Sequence, residues 1–534
     1  MRKNIVLISA VFIFVIFLTI KQTLPPAPLP ASAPPAEFSA ERAAKYIYAI
    51  AKKPHLTGSP EIQEVRSYIL NELRGLGIQA EIDKDGDLQN VIGRIEGTHS
   101  SGIILLTAHF DSTKESPGAM DDTSGVAALL ETARALKANE PLKNTIVFLF
   151  TDHEEGGHYG AKAFIANHPW AKDVKVVIGL DAGGISGPSV LSTTSPKNGW
   201  LIRQLVAADR FLVGSSAVNA FGDSSTDFGR AFKSAGFSGY AFDLYWDKRI
   251  DGSEDNIQNI NISSVQHQGY HLLSLTRRLG NLSDLVDPKE PDEVFFSVLR
   301  LFIVHYPSTY ALPFAIVVIA LLCGVFIYGL RHKILSWSGV GYGTAIFFFG
   351  LIAAALPGLF IEYVIGHFIP GVTKDYDNRL LDGPFTMSGI TFLAIALVLF
   401  SHVWAHKLKK VEAANLVMGA LVPIVIGMVV TSIILPALSF AFTWPLAFSL
   451  FACVKWFYFR TKNREPHGVI WAFVFSGIVA IVVIGPSIVL GLFSELILTL
   501  VFLGTLCGFL LPQIYLMIGK MDENRSISPK NQYF

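Results

Sequence analysis

Three regimes of hydrophobic and polar patterning follow one another along the chain. Met1-Arg2-Lys3-Asn4 precedes an uninterrupted apolar run from Ile5 to Ile20, close to the ~20 residues a helix needs to cross a bilayer. No small-x-small cleavage site follows directly. Lys21 and a Pro-rich stretch from Pro25 to Pro35 come next, with Ala31-Ser32-Ala33 as a weak cleavage candidate. The run therefore reads as an anchor rather than a cleaved signal segment. Residues 1–36 become that anchor plus an extended spacer.

From Glu37 to about Asp287 the pattern is that of an α/β domain. Glu61 to Leu76 has helical spacing closed by Gly75 and Gly77, and Ser124 to Ala138 reads as a second helix. Gly102-Ile-Ile-Leu-Leu-Thr-Ala, Asn144-Thr-Ile-Val-Phe-Leu-Phe and Lys175-Val-Val-Ile-Gly-Leu read as buried strands. Strands alternating with helices predict a mixed, mostly parallel sheet covered by helices on both faces. Residues 37–300 are assigned to this domain.

Past Pro307 the pattern changes again. Seven apolar segments follow, roughly 310–330, 338–365, 386–405, 414–434, 436–458, 468–490 and 494–518, each near the length of a membrane span. Basic clusters at Arg331/His332/Lys333, Lys407/Lys409/Lys410, Arg460/Lys462/Arg464 and Lys520/Arg525/Lys530 occupy alternate ends. Excess Lys/Arg marks the cytoplasmic side. With Arg2 and Lys3 also inside, the pattern predicts an all-α transmembrane bundle over 301–534 with a cytoplasmic C-terminus. The 37–300 domain then lies on the extracytoplasmic face, in a bacterial periplasm or outside, or in an organelle lumen.

Composition agrees. Hydrophobic residues make up 51% and charged residues 16%, with mean hydropathy +0.44. A soluble domain is nearer a quarter charged, so much of the chain belongs in the lipid bilayer. Lys+Arg and Asp+Glu both number 43, which argues for no nucleic-acid partner. Cys323, Cys453 and Cys507 all fall in the apolar C-terminal runs. The polar domain thus has neither a disulfide nor a thiolate metal site, and a metal there must be held by His, Asp and Glu.

Such residues gather where a site belongs. His109-Phe110-Asp111 ends the first strand, Asp121-Asp122 precedes the next helix, Glu154-Glu155 ends the second strand and Asp181 ends the third. In open parallel sheets ligands bind beyond the carboxyl ends of the strands. Carboxylates brought that close repel unless cations sit among them, which makes a metal pair the economical reading.

The motif series then points to a family. Ala108-His-Phe-Asp-Ser, Gly118-Ala-Met-Asp-Asp-Thr-Ser-Gly-Val-Ala-Ala-Leu-Leu-Glu and Glu154-Glu-Gly-Gly-His-Tyr-Gly-Ala resemble the family-28 zinc peptidases. The resemblance runs from about Pro54 to Gly280, and the fused spans favour the membrane branch with the endoplasmic reticulum metallopeptidase and the vacuolar membrane protease. It implies a zinc-exopeptidase-like fold, two Zn2+ ions, a peptide substrate and the aminopeptidase chemistry of the family. Carried over by position, His109 and Asp181 would bind the first zinc, Asp121 would bridge, and Glu155 would bind the second. Asp111 would orient the His109 imidazole, Glu154 would be the general base, and Asp121-Asp122 would be a cis peptide.

One position departs from the pattern. The family's last ligand is a His, and the ungapped alignment puts Asp251 there, with Asp255 matching the motif's Asp. Three readings stay open: Asp251 substitutes as a ligand, a nearby His or a shifted loop supplies it, or the second site is degraded. The last would leave a silent, receptor-like or scaffold protein. His55, His267 and His271 read as structural, His153 as facing away from the site, and His158 as a loop residue near substrate. Tyr240 and Tyr245 are candidates to assist the oxyanion, with nothing to fix either. The spans show no convergent polar set, so anchoring is their default role, and an oligomer through the bundle is compatible with it.

Overall fold

The computed structural model describes residues 2–209, 211–217, 224–246, 252–285, 288–350, 411–462 and 468–489, with isolated positions beyond them. Two compact units divide the chain: Thr23–Pro307, and Met1–Gln22 together with Ser308–Phe534.

The Thr23–Pro307 unit is built on a seven-stranded sheet of order β1-β2-β4-β3-β5-β7-β6. Its strands are β1 (Gln79–Asp85), β2 (Leu88–Ile95), β3 (Ile103–His109), β4 (Thr145–Thr151), β5 (Val174–Leu180), β6 (Ser186–Thr194) and β7 (Gly239–Trp246). The centre β4-β3-β5-β7 is parallel, while β1, β2 and β6 join antiparallel at the flanks. The sheet is thus mixed with a parallel heart, as the three apolar runs predict. Every residue of β3 and β4 is buried, the mark of strands covered on both faces.

Alternation sorts their side chains into two layers. Ile104, Leu106, Ile146, Phe148, Phe150, Val176 and Ile178 pack on one face. The helices α2 (Ala40–Ile50), α3 (Pro60–Gly75), α4 (Thr123–Lys137) and Ile262–Gly280 cover that layer. Ile103, Leu105, Val147, Leu149 and Val177 meet α5 (Tyr159–Asn167) and the π-helical turn Phe228–Phe232 on the other. A hairpin, β8 (Glu293–Val298) with β9 (Phe302–Pro307), closes the unit.

Local signals start the helices. Ser39 and Ser59 accept from the amides of Arg42 and Ile62, and Pro60 opens the first turn of α3, each satisfying donors that a helix start leaves orphaned. In α4 the only buried acid outside the cap is Glu131, whose carboxylate takes Arg42 at 2.7 Å and Arg134 at 2.7 Å. The pairing ties the first turn of α2 to the core helix.

Among the described residues of the other unit, five helices are long and apolar enough to cross a membrane: Val6–Thr23 (within α1, Arg2–Thr23), Ser308–Arg331, Ala413–Ile434, Phe440–Thr461 and Val469–Pro486. Ile316, Val317, Ile426 and Ile433 leave more than half their surface exposed, as lipid-facing side chains do. Small and hydroxylated residues hold helices together. A Cβ on Gly419 would come within 2.5 Å of the Thr344 amide, Thr344 Oγ1 donates to the Gly419 carbonyl at 2.9 Å, and Ser449 and Ser476 share a 2.5 Å hydrogen bond. Of the remaining expected spans, 338–365 is described as helix only to residue 350, and 386–405 and 494–518 lie almost wholly outside the described residues.

Replacing Glu131 with Ala leaves two guanidinium groups without their buried partner and is expected to cost about 3 kcal/mol. The urea midpoint of the near-UV CD signal of the detergent-solubilised chain measures it; an unchanged midpoint would sink the assignment.

Candidate metal centre

Parallel pairing of β3 with β4 and β5 brings three chain segments to one edge of the sheet. His109 is the last residue of β3, Glu154 follows β4 and Asp181 follows β5. His109 is buried, and its Nδ1 donates to the backbone carbonyl of Asp111 at 3.0 Å. A carbonyl can only accept, so the neutral imidazole keeps its lone pair on Nε2. That atom lies 3.1 Å from Asp121 Oδ1, 3.5 Å from Asp181 Oδ1 and 3.9 Å from Glu154 Oε2.

The Asp111 carboxylate stands 3.5 Å from Nδ1 and has a second task. Its Oδ1 accepts the Glu154 amide at 2.9 Å and its Oδ2 the Glu155 amide at 3.2 Å. One side chain thereby ties the imidazole to the loop that carries the glutamate pair. The hold on the imidazole that the resemblance gives to this carboxylate is shared with the residue's own carbonyl.

Asp121 sits on a loop clamped from both ends. The Asp121–Asp122 peptide is cis, as the resemblance implies. Asp122 caps α4 through the Gly125 amide at 3.0 Å and also accepts the His109 amide at 3.3 Å. From the far side, Asp255 accepts the Met120 amide at 2.7 Å and the Asp121 amide at 3.2 Å. Asp255 is fully buried, so the motif position beside Asp251 serves as a loop clamp.

The electrostatics follow from burial. Burial pushes Asp121 and Asp122 well above the usual carboxylate range and Glu154 up to about 7. Asp243, in β7, is pushed up to about 8 by burial and then by the neighbouring Asp181. For His109 burial opposes the charged form, yet Glu154, Asp111, Asp121 and Asp181 outweigh it and hold the imidazole well above its ordinary value. Burial also works against an ionised Asp111, but His109 and the two amides keep it below the usual range.

The donor set suits zinc. One imidazole nitrogen and carboxylate oxygens, with no thiolate, form a nitrogen–oxygen set of the kind zinc takes. Donors about 2.0 Å from a tetrahedral ion stand roughly 3.3 Å apart, and the distances from Nε2 to Asp121 and Asp181 bracket that value. Among the described residues, donor atoms converge in two groups: His109/Asp121/Asp181 and Glu154/His158/Asp227. Glu155 is exposed and belongs to neither. Asp251 lies outside the described residues.

Several histidines and a tyrosine find other places. Tyr240 is fully buried and donates to the Leu201 carbonyl at 2.6 Å; it is committed to the core and is withdrawn as an oxyanion candidate. The Tyr245 side chain lies outside the described residues. His153 is not on a strand: it sits at φ 60° after β4, its ring 5.2 Å from Tyr159. His55, His267 and His271 are buried and bonded to backbone groups, His271 also to Asp209. Sequence reading met Asp227 only as part of the family's Thr226-Asp-Phe element, placed His158 only near substrate, and missed Asp243. An acid inside the apolar run Tyr240-Ala-Phe-Asp-Leu was the one available signal, pointing to Asp243.

Comparison with known proteins agrees with the motif series. Residues 90–276 match the family model described as Peptidase family M28. The chain is similar to endoplasmic reticulum metallopeptidase 1 of Mus musculus, 27% identical over 444 residues, covering 72% of this chain and 47% of the relative. It is also similar to the vacuolar membrane protease of Candida tropicalis, 34% identical over 220 residues, 40% of this chain and 24% of the relative. The chain thus spans about half or less of the length of these relatives. Among solved structures, the aminopeptidase from Aneurinibacillus sp. strain AM-1 superposes with TM-score 0.42 at 15% identity, covering 48% of this chain and 97% of that one.

Raised carboxyl values mean that the folded state favours the protonated groups. Their stabilising effect is present at low pH and is lost as pH rises from the ordinary carboxyl range through about 7 for Glu154 and about 8 for Asp243. The raised His109 acts in the same direction. The metal-free chain is therefore expected to melt at a lower temperature at about pH 8 than at about pH 5, with zinc restoring the loss at the higher pH. Calorimetry at both pH values, with and without zinc, checks it; a flat metal-free profile would refute the reading.

Proposed function

We propose that the chain is a membrane-bound zinc metallopeptidase that removes N-terminal residues from peptides on the extracytoplasmic side. The observation carrying this reading is the buried meeting of His109 Nε2 with Asp121 and Asp181, beside Glu154. The Peptidase family M28 match across residues 90–276 and the metallopeptidase and membrane protease names of the relatives support it. The aminopeptidase preference rests on the motif resemblance alone.

In this proposal His109, Asp121 and Asp181 hold one ion, and Asp121, Glu155 and Asp251 the second. Zinc, when bound, supplies Lewis acidity toward a peptide carbonyl and a water molecule. Glu154 accepts a proton from the attacking water and returns it to the leaving amine. Its carboxylate is screened from bulk water, and its amide is held by Asp111 Oδ1. Asp111 therefore positions both the ligand imidazole and the base.

A second reading, a silent receptor-like or scaffold member, is favoured by Asp251 at the family's His position. Metal analysis and turnover separate the two. The enzyme reading expects close to two zinc ions per chain. Glu154→Gln should keep the metal and lose roughly 10²–10⁴-fold in kcat, and peptides with a free amino terminus should be cleaved while N-acetylated ones are spared. Absence of both zinc and turnover, with both restored by Asp251→His, would instead establish the silent reading.

The charge pattern supports residues 1–36 as anchor and spacer, 37–300 as the extracytoplasmic domain and 301–534 as the membrane domain. A cysteine introduced at Ser100, an exposed loop position, is expected to react with a membrane-impermeant maleimide in intact cells or oriented vesicles from the side opposite the basic clusters. Labelling only after lysis, or from the side of the basic clusters, would reverse the topology.

A further inference from the structure

His158 lies in the turn between β4 and α5, and three features set it apart. It holds a left-handed backbone conformation, φ 59° and ψ 33°, at the N-cap of α5, yet its side chain makes no capping bond. The turn is fixed by backbone bonds: the amides of Gly157 and His158 both donate to the Glu154 carbonyl, at 2.8 and 2.9 Å. This folds the imidazole back over Glu154. Glycine would adopt the same conformation at no steric cost, so what the position gains from histidine is the ring.

Two carboxylates lie within ion-pair distance of one nitrogen of the ring. Nδ1 is 2.8 Å from Glu154 Oε1 and 3.3 Å from Asp227 Oδ1. Asp227 Oδ2 accepts from Thr151 Oγ1 at 2.5 Å, and Thr151 is the last residue of β4. Asp227 is thereby anchored to the strand that precedes Glu154. Without a cation between them, two carboxylates at this separation would repel; with one, each is drawn toward the ring. The imidazole itself is the cation in the Glu154/His158/Asp227 group and offsets part of its negative charge without a metal. Lys162, in the first turn of α5, spends its Nζ on the Gly157 carbonyl at 2.8 Å, and Glu155, in the turn before α5, is exposed.

We propose that His158, held by Asp227, is a positioning residue that aims the Glu154 carboxylate into the metal centre. The proposal rests on Glu154 being the general base. One oxygen of Glu154 is engaged by His158, which turns the other, Oε2, toward the His109 side of the site at 3.9 Å. The raised His158 value fits the geometry: burial works against the charged ring, but Asp227 and Glu154 overcome it and push it up to about 9.

Two measurements on the full-length chain in detergent test it. In metal-free protein carrying labelled histidine, the His158 ring resonance, assigned by its loss in His158→Gly, is expected to titrate near 9. It should return toward 6.5 in Asp227→Asn. Titration near 6.5 in the unsubstituted chain would overturn the pairing. In zinc-loaded protein, His158→Gly is expected to keep its thermal midpoint and KM while kcat falls about 10–100-fold, and Asp227→Asn should shift the basic limb of the pH–rate profile downward. An unchanged kcat in His158→Gly would overturn the positioning role. If the zinc-loaded parent chain hydrolyses no peptide, the peptidase reading fails, while the resonance titration still decides the pairing.

Discussion

Carboxylates buried side by side repel one another, and each also loses the hydration that would stabilise its charge. Asp121, Glu154, Asp181 and Asp243 are gathered at one sheet edge under that penalty. Among the described residues, the cations within ion-pair reach of Asp121, Glu154 and Asp181 are the imidazoles of His109 and His158. Metal-free, the cluster resolves the conflict by taking up protons, which is why burial moves several of these groups toward neutrality. A pair of divalent ions would resolve it by compensating the charge. The site is thus poised by its electrostatics to prefer cations at the pH where its acids would otherwise ionise.

Holding such a cluster in place falls to neighbours that do not face the ion. Asp111 straps the Glu154 and Glu155 amides, Asp122 joins the start of α4 to the His109 amide, and Asp255 grips the loop that carries Asp121. Each is an acid whose carboxyl oxygens accept from backbone N–H groups. These bonds let the polypeptide approach closely without adding further unpaired charge to the centre.

The membrane unit follows a different logic. Its helices have no apolar contrast with lipid to drive them together, and the described contacts accordingly rely on close backbone approach at Gly343 and Gly419 and on hydroxyl bonds such as Ser449 with Ser476.

The amino-acid sequence alone determined the three central strands, two of the helices that cover them and the residues brought to their carboxyl ends. Runs such as Ile103–His109 and Thr145–Thr151 are apolar throughout because both faces of those strands are covered, and that demand is written locally. His109, Glu154 and Asp181 were legible because a parallel sheet sends the carboxyl ends of its strands to one edge. Two matters were decided only by tertiary structure. Asp255 meets Asp121 across 134 residues, and Asp227 reaches His158 from another loop; no local pattern encodes which distant carboxylate arrives. Tyr240 is kept from the site for the same reason, since its hydroxyl is consumed by the Leu201 carbonyl on a neighbouring helix. Spacing along the chain specifies which residues end a strand, but the order of strands and the path of loops between them set which charges become neighbours.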